Sequence, residues 1–284
     1  MFKKIFFAAA LLLASELIAK PVVIASIAPV EYLAKAVGGD KIEVQSLAKG
    51  DVHSYEPKPN DMKAVAKARI FIAAGLEFEE AWIPRFKASA KNLVVVKSDA
   101  KIAKLKEERG EQAEHDEKHE AHADPHVWLN PMLAITMARN ISDALIDMDK
   151  ANKDFYLENF QKLMNDLLAF DESAKESLAG LKNRKFVVYH PAWGYFAAHY
   201  DLEQISIERS GKEPKIDEMA STLKMIKDEN IKVIFADPNR SQKSAQVLAS
   251  QTGAKVELLD PLGYNLLENL KIAVKAIKDA NSPK

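Results

Sequence analysis

A chain of 284 residues, 48% hydrophobic and 29% charged, is long enough for two domains and apolar enough to bury a real core. A formal net charge of −1 gives no basic surface for nucleic acid or an anionic membrane, so neither is expected as a partner. There is no cysteine, which excludes a disulfide framework and any thiolate metal site.

At the N-terminus, Lys3 and Lys4 precede a nine-residue apolar run (IFFAAALLL) and a stretch of small and mixed residues ending at Ala19. This order predicts a secretory signal peptide over residues 1–19, too short to span a bilayer and cleaved after Ala19. With no cysteine beyond it to carry a lipid, the expected product is a free periplasmic protein.

Residues 20–150 read as a first lobe. Four short, apolar, β-branched runs, 21–26, 41–48, 68–75 and 92–97, predict strands with helical patterns between them. The first helix is expected over 29–37, stopped by Gly38 and Gly39. Residues 101–125 break the pattern. From Lys106 to His126 there are eight acidic residues and three basic ones, with no apolar side chain larger than alanine between them, so a mobile loop is expected. A helix follows over 131–148. Residues 151–180 then place Phe155, Leu157, Phe160, Leu163, Met164, Leu167, Leu168 and Phe170 at three- and four-residue steps with no interrupting glycine or proline. A helix of that length reaches about 45 Å and serves as a rigid connector. Residues 181–284 form a second lobe, with strands expected at 185–190, 205–209, 232–237 and 255–260 and helices at 192–200, 215–229, 241–252 and 265–279. The alternation predicts the α/β class: two α/β lobes with largely parallel sheets, joined by a long linker helix.

Chemistry concentrates in the histidines. Four of seven, His115, His119, His122 and His126, fall within twelve residues, threaded by acidic side chains. Imidazole is the commonest protein ligand for zinc-like metals, so the chain is expected to handle one. His53, His126 and His190 each fall where a strand gives way to a loop or helix, and Asp260 follows the last strand. Ligands of open α/β sheets bind beyond the carboxyl ends of the strands, so a cleft between lobes collects these four. Three neutral imidazoles and a carboxylate fill a zinc tetrahedron and leave no position for an activated water, which favours binding over catalysis. Read locally, His190 in FVVYHPAWGYF also fits a hydrogen-bonded core histidine, His53 a plain loop residue, and Asp260 a cap. His199 reads as structural. With ordinary imidazoles, zinc affinity is expected to fall below about pH 6.

Four motifs in order carry a family resemblance: Asp51-Val-His53-Ser-Tyr-Glu56-Pro57, Asp124-Pro-His126-Val-Trp128-Leu-Asn130-Pro131, Tyr189-His190-Pro191-Ala-Trp193-Gly194-Tyr195-Phe196 and Leu259-Asp260-Pro261-Leu262-Gly263. Over essentially the whole mature chain it resembles the ZnuA-like periplasmic zinc-binding proteins, in the manganese/zinc cluster of ABC-transporter solute-binding proteins. The resemblance implies two pseudo-symmetric lobes with zinc between them as cargo, ligated by His53, His126, His190 and Asp260. It also implies delivery by a monomer to an ABC permease with its cytoplasmic ATPase. One departure is Asp237, where the family often carries glutamate; a supporting role is the most it implies here. A manganese- or iron-binding protein of the same class is the alternative, disfavoured because imidazole at His190 suits zinc while harder oxygen suits manganese. A zinc hydrolase, with Glu56 or Glu208 as base, lacks a HExxH motif. His115, His119 and His122, on a segment with no core to fix them, are expected to hold metal only weakly, as an accessory arm beside the site.

Overall fold

The computed structural model describes residues 20–106, 123–208 and 216–281. The expected signal peptide, the three loop histidines and most of the expected mobile loop lie outside these residues. Two four-stranded sheets, every pairing parallel, form the frame. In the first, β1 (Val22–Ile27), β2 (Glu43–Ala48), β3 (Ile70–Ala73) and β4 (Val94–Lys97) lie in the order β2-β1-β3-β4. In the second, β5 (Lys185–Val188), β6 (Glu203–Ser206), β7 (Val233–Ala236) and β8 (Lys255–Leu258) repeat it as β6-β5-β7-β8. Of the central strands, β3 and β7 are apolar and buried at all four residues, because both faces are covered. Edge strand β2 alternates exposed and half-buried residues before its buried end, since only one face packs.

The helices are α1 (Ala28–Gly38), α2 (Pro59–Val65), α3 (Glu77–Ser89), α4 (Pro131–Met148), α5 (Lys153–Ala179), α6 (Gly194–His199), α7 (Ile216–Asp228), α8 (Lys243–Thr252) and α9 (Leu266–Asn281). Among the described residues none is long and apolar enough to cross a membrane. Helix α4 begins where the Asn130 side chain accepts from the Met132 and Leu133 amides, with Pro131 setting the first turn. Helix α5, at 27 residues about 40 Å long, links the sheets. It starts two residues later than its sequence pattern because a 3-10 turn, Lys150–Asn152, precedes it. Its Asp171 accepts from or pairs with His199 Nε2 at 2.6 Å and Lys175 at 2.7 Å, so His199 has the structural role expected of it.

Strand β6 begins two residues before its expected start and ends at Ser206 rather than 209. The reason is tertiary: Gln204 is buried and its side-chain Oε1 accepts from the Trp193 amide at 2.7 Å, which a single-strand pattern does not report.

The lobes are not separate bodies. One continuous buried cluster runs from Val23 and Val30 through Trp128 and Leu129 to Trp193, Phe235 and Leu259. Trp128 Nε1 donates to the Pro261 carbonyl at 2.7 Å across the seam. Tyr195 of α6 clasps the first lobe: its hydroxyl accepts from the Leu105 amide and donates to the Asp124 carbonyl, each at 2.8 Å.

Candidate metal centre

The three histidines singled out in the sequence converge at the seam. His53 stands on the loop after β2, where its amide and the Ser54 hydroxyl each donate to an Asp51 carboxylate oxygen at 3.1 Å. His126 opens the 3-10 turn Val127–Leu129 just ahead of α4. His190 lies two residues beyond the end of β5, in the crevice where neighbouring strands β5 and β7 diverge in chain direction of their connections. One nitrogen from each ring lies within 4.8 Å of the others, and His53 Nε2 is 3.2 Å from His190 Nε2. His126 and His190 are buried while His53 sits at the surface, so the centre is reached from the His53 side. An open cavity of about 380 Å³ adjoins His53 there, lined by Val52, Gly75, Leu76, Glu77 and Glu80.

Each buried imidazole is held from behind by a carboxylate. Asp124 Oδ1 lies 2.8 Å from His126 Nδ1 and also accepts from the His126 amide at 2.9 Å. Glu208 Oε2 lies 3.0 Å from His190 Nδ1, and Glu208 is itself 3% exposed. Such carboxylates fix the tautomer that leaves Nε2 free for a metal and raise its basicity. The electrostatics keep His190 and His53 neutral. Burial, with His126 and Arg240 adding to it, holds His190 well below the ordinary histidine value. His53 is pushed down to about 4, first by desolvation and then by His126 and Arg240. The expected loss of affinity below about pH 6 therefore does not carry over to these two residues, because they are not ordinary imidazoles.

Asp260 stands outside the three-histidine group. It follows β8 as expected, but its Oδ1 accepts from Asn239 Nδ2 and the Leu262 amide, both at 2.8 Å. Asp237, at the end of β7, accepts from the same Asn239 through its amide at 2.7 Å and Nδ2 at 3.0 Å. Burial, with Asp260 nearby as a smaller cause, raises the Asp237 carboxyl, while the Asn239 hydrogen bonds oppose the rise. Asp237 thus braces the residue that braces Asp260. Two participants had no sequence signal: Asn239 and Arg240, whose guanidinium reaches both Glu208 and His190. They become visible only once β7 places their loop on the same rim as β5. Glu208, nominated in the sequence only as the base of a hydrolase, is instead tied up between His190 and Arg240.

The donor set suits zinc: three imidazole nitrogens, borderline-soft, with a carboxylate on the same rim. A larger groove of about 680 Å³, between α5 and α9, shares no residue with the centre.

Comparison with known proteins adds the following. The family model described as zinc-uptake complex component A, periplasmic (ZnuA), matches residues 23–280. The high-affinity zinc uptake system protein ZnuA of Bacillus subtilis (strain 168) is 30% identical over 279 residues, covering 91% of this chain and 86% of that protein. A solved ZnuA structure superposes with a TM-score of 0.85 at 35% identity, covering 93% of this chain and 100% of that one. A ZnuA deletion mutant with zinc bound superposes at 0.86 and 34% identity, covering 93% and 99%.

Proposed function

Because the chain belongs to the ZnuA family and is a zinc-binding transport component, we propose that His53, His126 and His190 hold one zinc ion at the seam between the lobes and that Asp260 completes the tetrahedron. The observation that carries this reading is the convergence of three imidazole nitrogens within 4.8 Å of one another, two of them on buried rings braced by carboxylates. For Asp260 to join, its carboxylate turns toward the histidines while Asn239 keeps its grip or lets go. The decisive test is zinc stoichiometry and affinity of His190→Ala, measured by chelator competition. Loss of the tight site is expected; an unchanged tight site would remove His190 from the ligand set.

Solute-binding proteins of this family bind zinc and work with an ABC permease and its ATPase. In our reading this chain is exported by a cleavable signal peptide over residues 1–19, acts in the periplasm as a monomer, and surrenders zinc when docking on the permease disturbs at least one ligand. The first lobe is residues 20–150, the linker 151–180 and the second lobe 181–284. The continuous core and the Trp128–Pro261 bond support lobes that move little during capture. Zinc enters past His53, where Glu77 and Glu80 line the approach. His115, His119 and His122 form an accessory arm of weak affinity. Supporting its place beside the centre, the chain leaves and returns at a Lys106–Ala123 bridge three residues before His126.

The protein is not an enzyme in this reading. A hydrolase needs an open coordination position and a free base, and the Glu208 oxygens are both engaged. Zinc is favoured over manganese or iron because all three convergent ligands are nitrogen.

A further inference from the structure

Zinc and manganese carry the same charge and differ in the ligand number they take. Zinc is satisfied by a tetrahedron of four donors, whereas manganese favours an octahedron of oxygens. The three convergent imidazoles supply three donors to either metal. The count therefore turns on Asp260. One of its carboxylate oxygens completes a tetrahedron, and two oxygens together exceed it.

Asp260 Oδ1 accepts from Asn239 Nδ2 and from the Leu262 amide, both at 2.8 Å. The two oxygens of a carboxylate share about four lone-pair sites, so these bonds fill those of Oδ1 and leave Oδ2 open. Asn239 is fixed in turn. Its Nδ2 also donates to Asp237 Oδ1 at 3.0 Å, and its main-chain amide donates to the same oxygen at 2.7 Å. Both protons of the side-chain nitrogen are thus spent on carboxylates, which accept and so distinguish it from the amide oxygen. The main chain of Asp260 is clamped as well. Asn269 Nδ2 donates to the Asp260 carbonyl at 2.6 Å, and Trp128 Nε1, from the first lobe, to the Pro261 carbonyl at 2.7 Å. Gly263 lies so close to Asn269 that a Cβ there would meet its Cγ at 2.8 Å. Only the side chain of Asp260 is left to adjust to a metal. A metal taken at Oδ2 leaves both bonds to Oδ1 in place, whereas binding through both oxygens displaces at least one.

We propose that Asn239 is a positioning residue for metal specificity: by holding Oδ1 it makes Asp260 a one-oxygen ligand and so favours zinc over manganese. The carboxylate pivots on the anchored Oδ1 and presents Oδ2, which gives three nitrogens and one oxygen. Binding through both oxygens, the step toward the higher coordination that manganese takes, breaks the Asn239 bond. The anchor is therefore kept in the zinc complex and lost in the manganese complex. Asp237 acts through Asn239, by keeping Nδ2 aimed at Oδ1. This rests on the reading that Asp260 is the fourth zinc ligand, and it identifies which of its oxygens binds.

Two measurements on the full chain test it. Cobalt in place of zinc reports the coordination number, because tetrahedral cobalt absorbs far more strongly in the visible than five- or six-coordinate cobalt. Wild type should show the strong tetrahedral bands, and Asn239→Ala, which keeps the main-chain bond to Asp237, should lose intensity as the second oxygen joins. Zinc and manganese affinities by chelator competition should find the zinc preference of Asn239→Ala lowered about tenfold, the scale of one net hydrogen bond, through tighter manganese binding. Asn239→Leu, close to asparagine in volume and equally without a donor, should match it, and carries both readings if Asn239→Ala does not fold. Tetrahedral bands retained at full strength in a folded variant, an unchanged ratio of zinc to manganese affinity, or a wild-type spectrum of five-coordinate cobalt would each overturn the proposal. Asp260→Ala separates the two readings. If it changes zinc affinity and the cobalt spectrum while the Asn239 variants behave as wild type, only this inference fails. If Asp260→Ala matches wild type in both, the fourth-ligand assignment fails and this inference with it.

Discussion

Lowering the pH from 7.5 to 5.0 separates this centre from one built of ordinary histidines. Protons compete with zinc for each imidazole, so a histidine with the usual pKa of about 6.5 costs about thirtyfold in affinity at pH 5. Two such residues cost about a thousandfold, or about 4 kcal/mol. In the folded protein, burial keeps His190 well below that value, and His53 is pushed down to about 4. A depressed histidine pKa preserves the neutral form, the form zinc needs, until the pH falls to the folded-state value. Affinity is therefore lost near pH 4 for His53 rather than near pH 6, and the His190 window moves down in the same direction. His53 lies at the surface, so water screens part of its shift and its share is discounted. The expected loss by pH 5 therefore falls well short of the roughly thousandfold that two ordinary imidazoles would give. The assay is competition against a chelator of known proton affinities at pH 7.5, 6.0 and 5.0, with circular dichroism to establish that the protein stays folded. A loss of a thousandfold or more by pH 5 would refute the argument that burial protects these ligands.

The carboxylate behind His126 should matter without touching zinc: Asp124→Ala is expected to weaken zinc about 10- to 100-fold while leaving the stoichiometry at one tight site, read by the same competition. Trp128→Phe leaves the buried Pro261 carbonyl without its donor and should lower unfolding free energy by about 1–3 kcal/mol in urea titrations; an unchanged midpoint would show that this seam bond contributes nothing. Deleting residues 110–123 should remove weak extra metal, counted by equilibrium dialysis, while the tight site persists. Loss of that tight site would overturn the division between arm and centre.

The central strands were legible because β1, β3, β5 and β7 are short, mostly apolar runs rich in Val, Ile and Phe. Helix α3 was not delimited: it buries only Phe78, Glu79 and Phe86 and carries Pro84 in mid-helix, so its period is faint. The histidine set was legible because each member follows a strand or precedes a helix in the chain, and open parallel sheets put the connections after their strands on one rim. Asp260 illustrates where that logic stops. It reached the rim, but Asn239 and the Leu262 amide compete for its oxygen, and neither competitor is marked by spacing. Arg240 was invisible for the same reason. Its partners, His190 and Glu208, lie 50 and 32 residues away in sequence and meet it only through strand order.

The Tyr195 clasp has a bearing on how this chain tolerates change in length. Its hydroxyl fastens both stems, Leu105 and Asp124, and the Lys106–Ala123 bridge closes them just outside. The ends are thus brought together by contacts that do not depend on what is inserted between them. For a flexible insert, each doubling of length adds only about 0.6 kcal/mol of closure entropy. An insertion between these two stems, such as a peptide tag or a fluorescent reporter, is therefore expected to leave the frame that presents His126 in place.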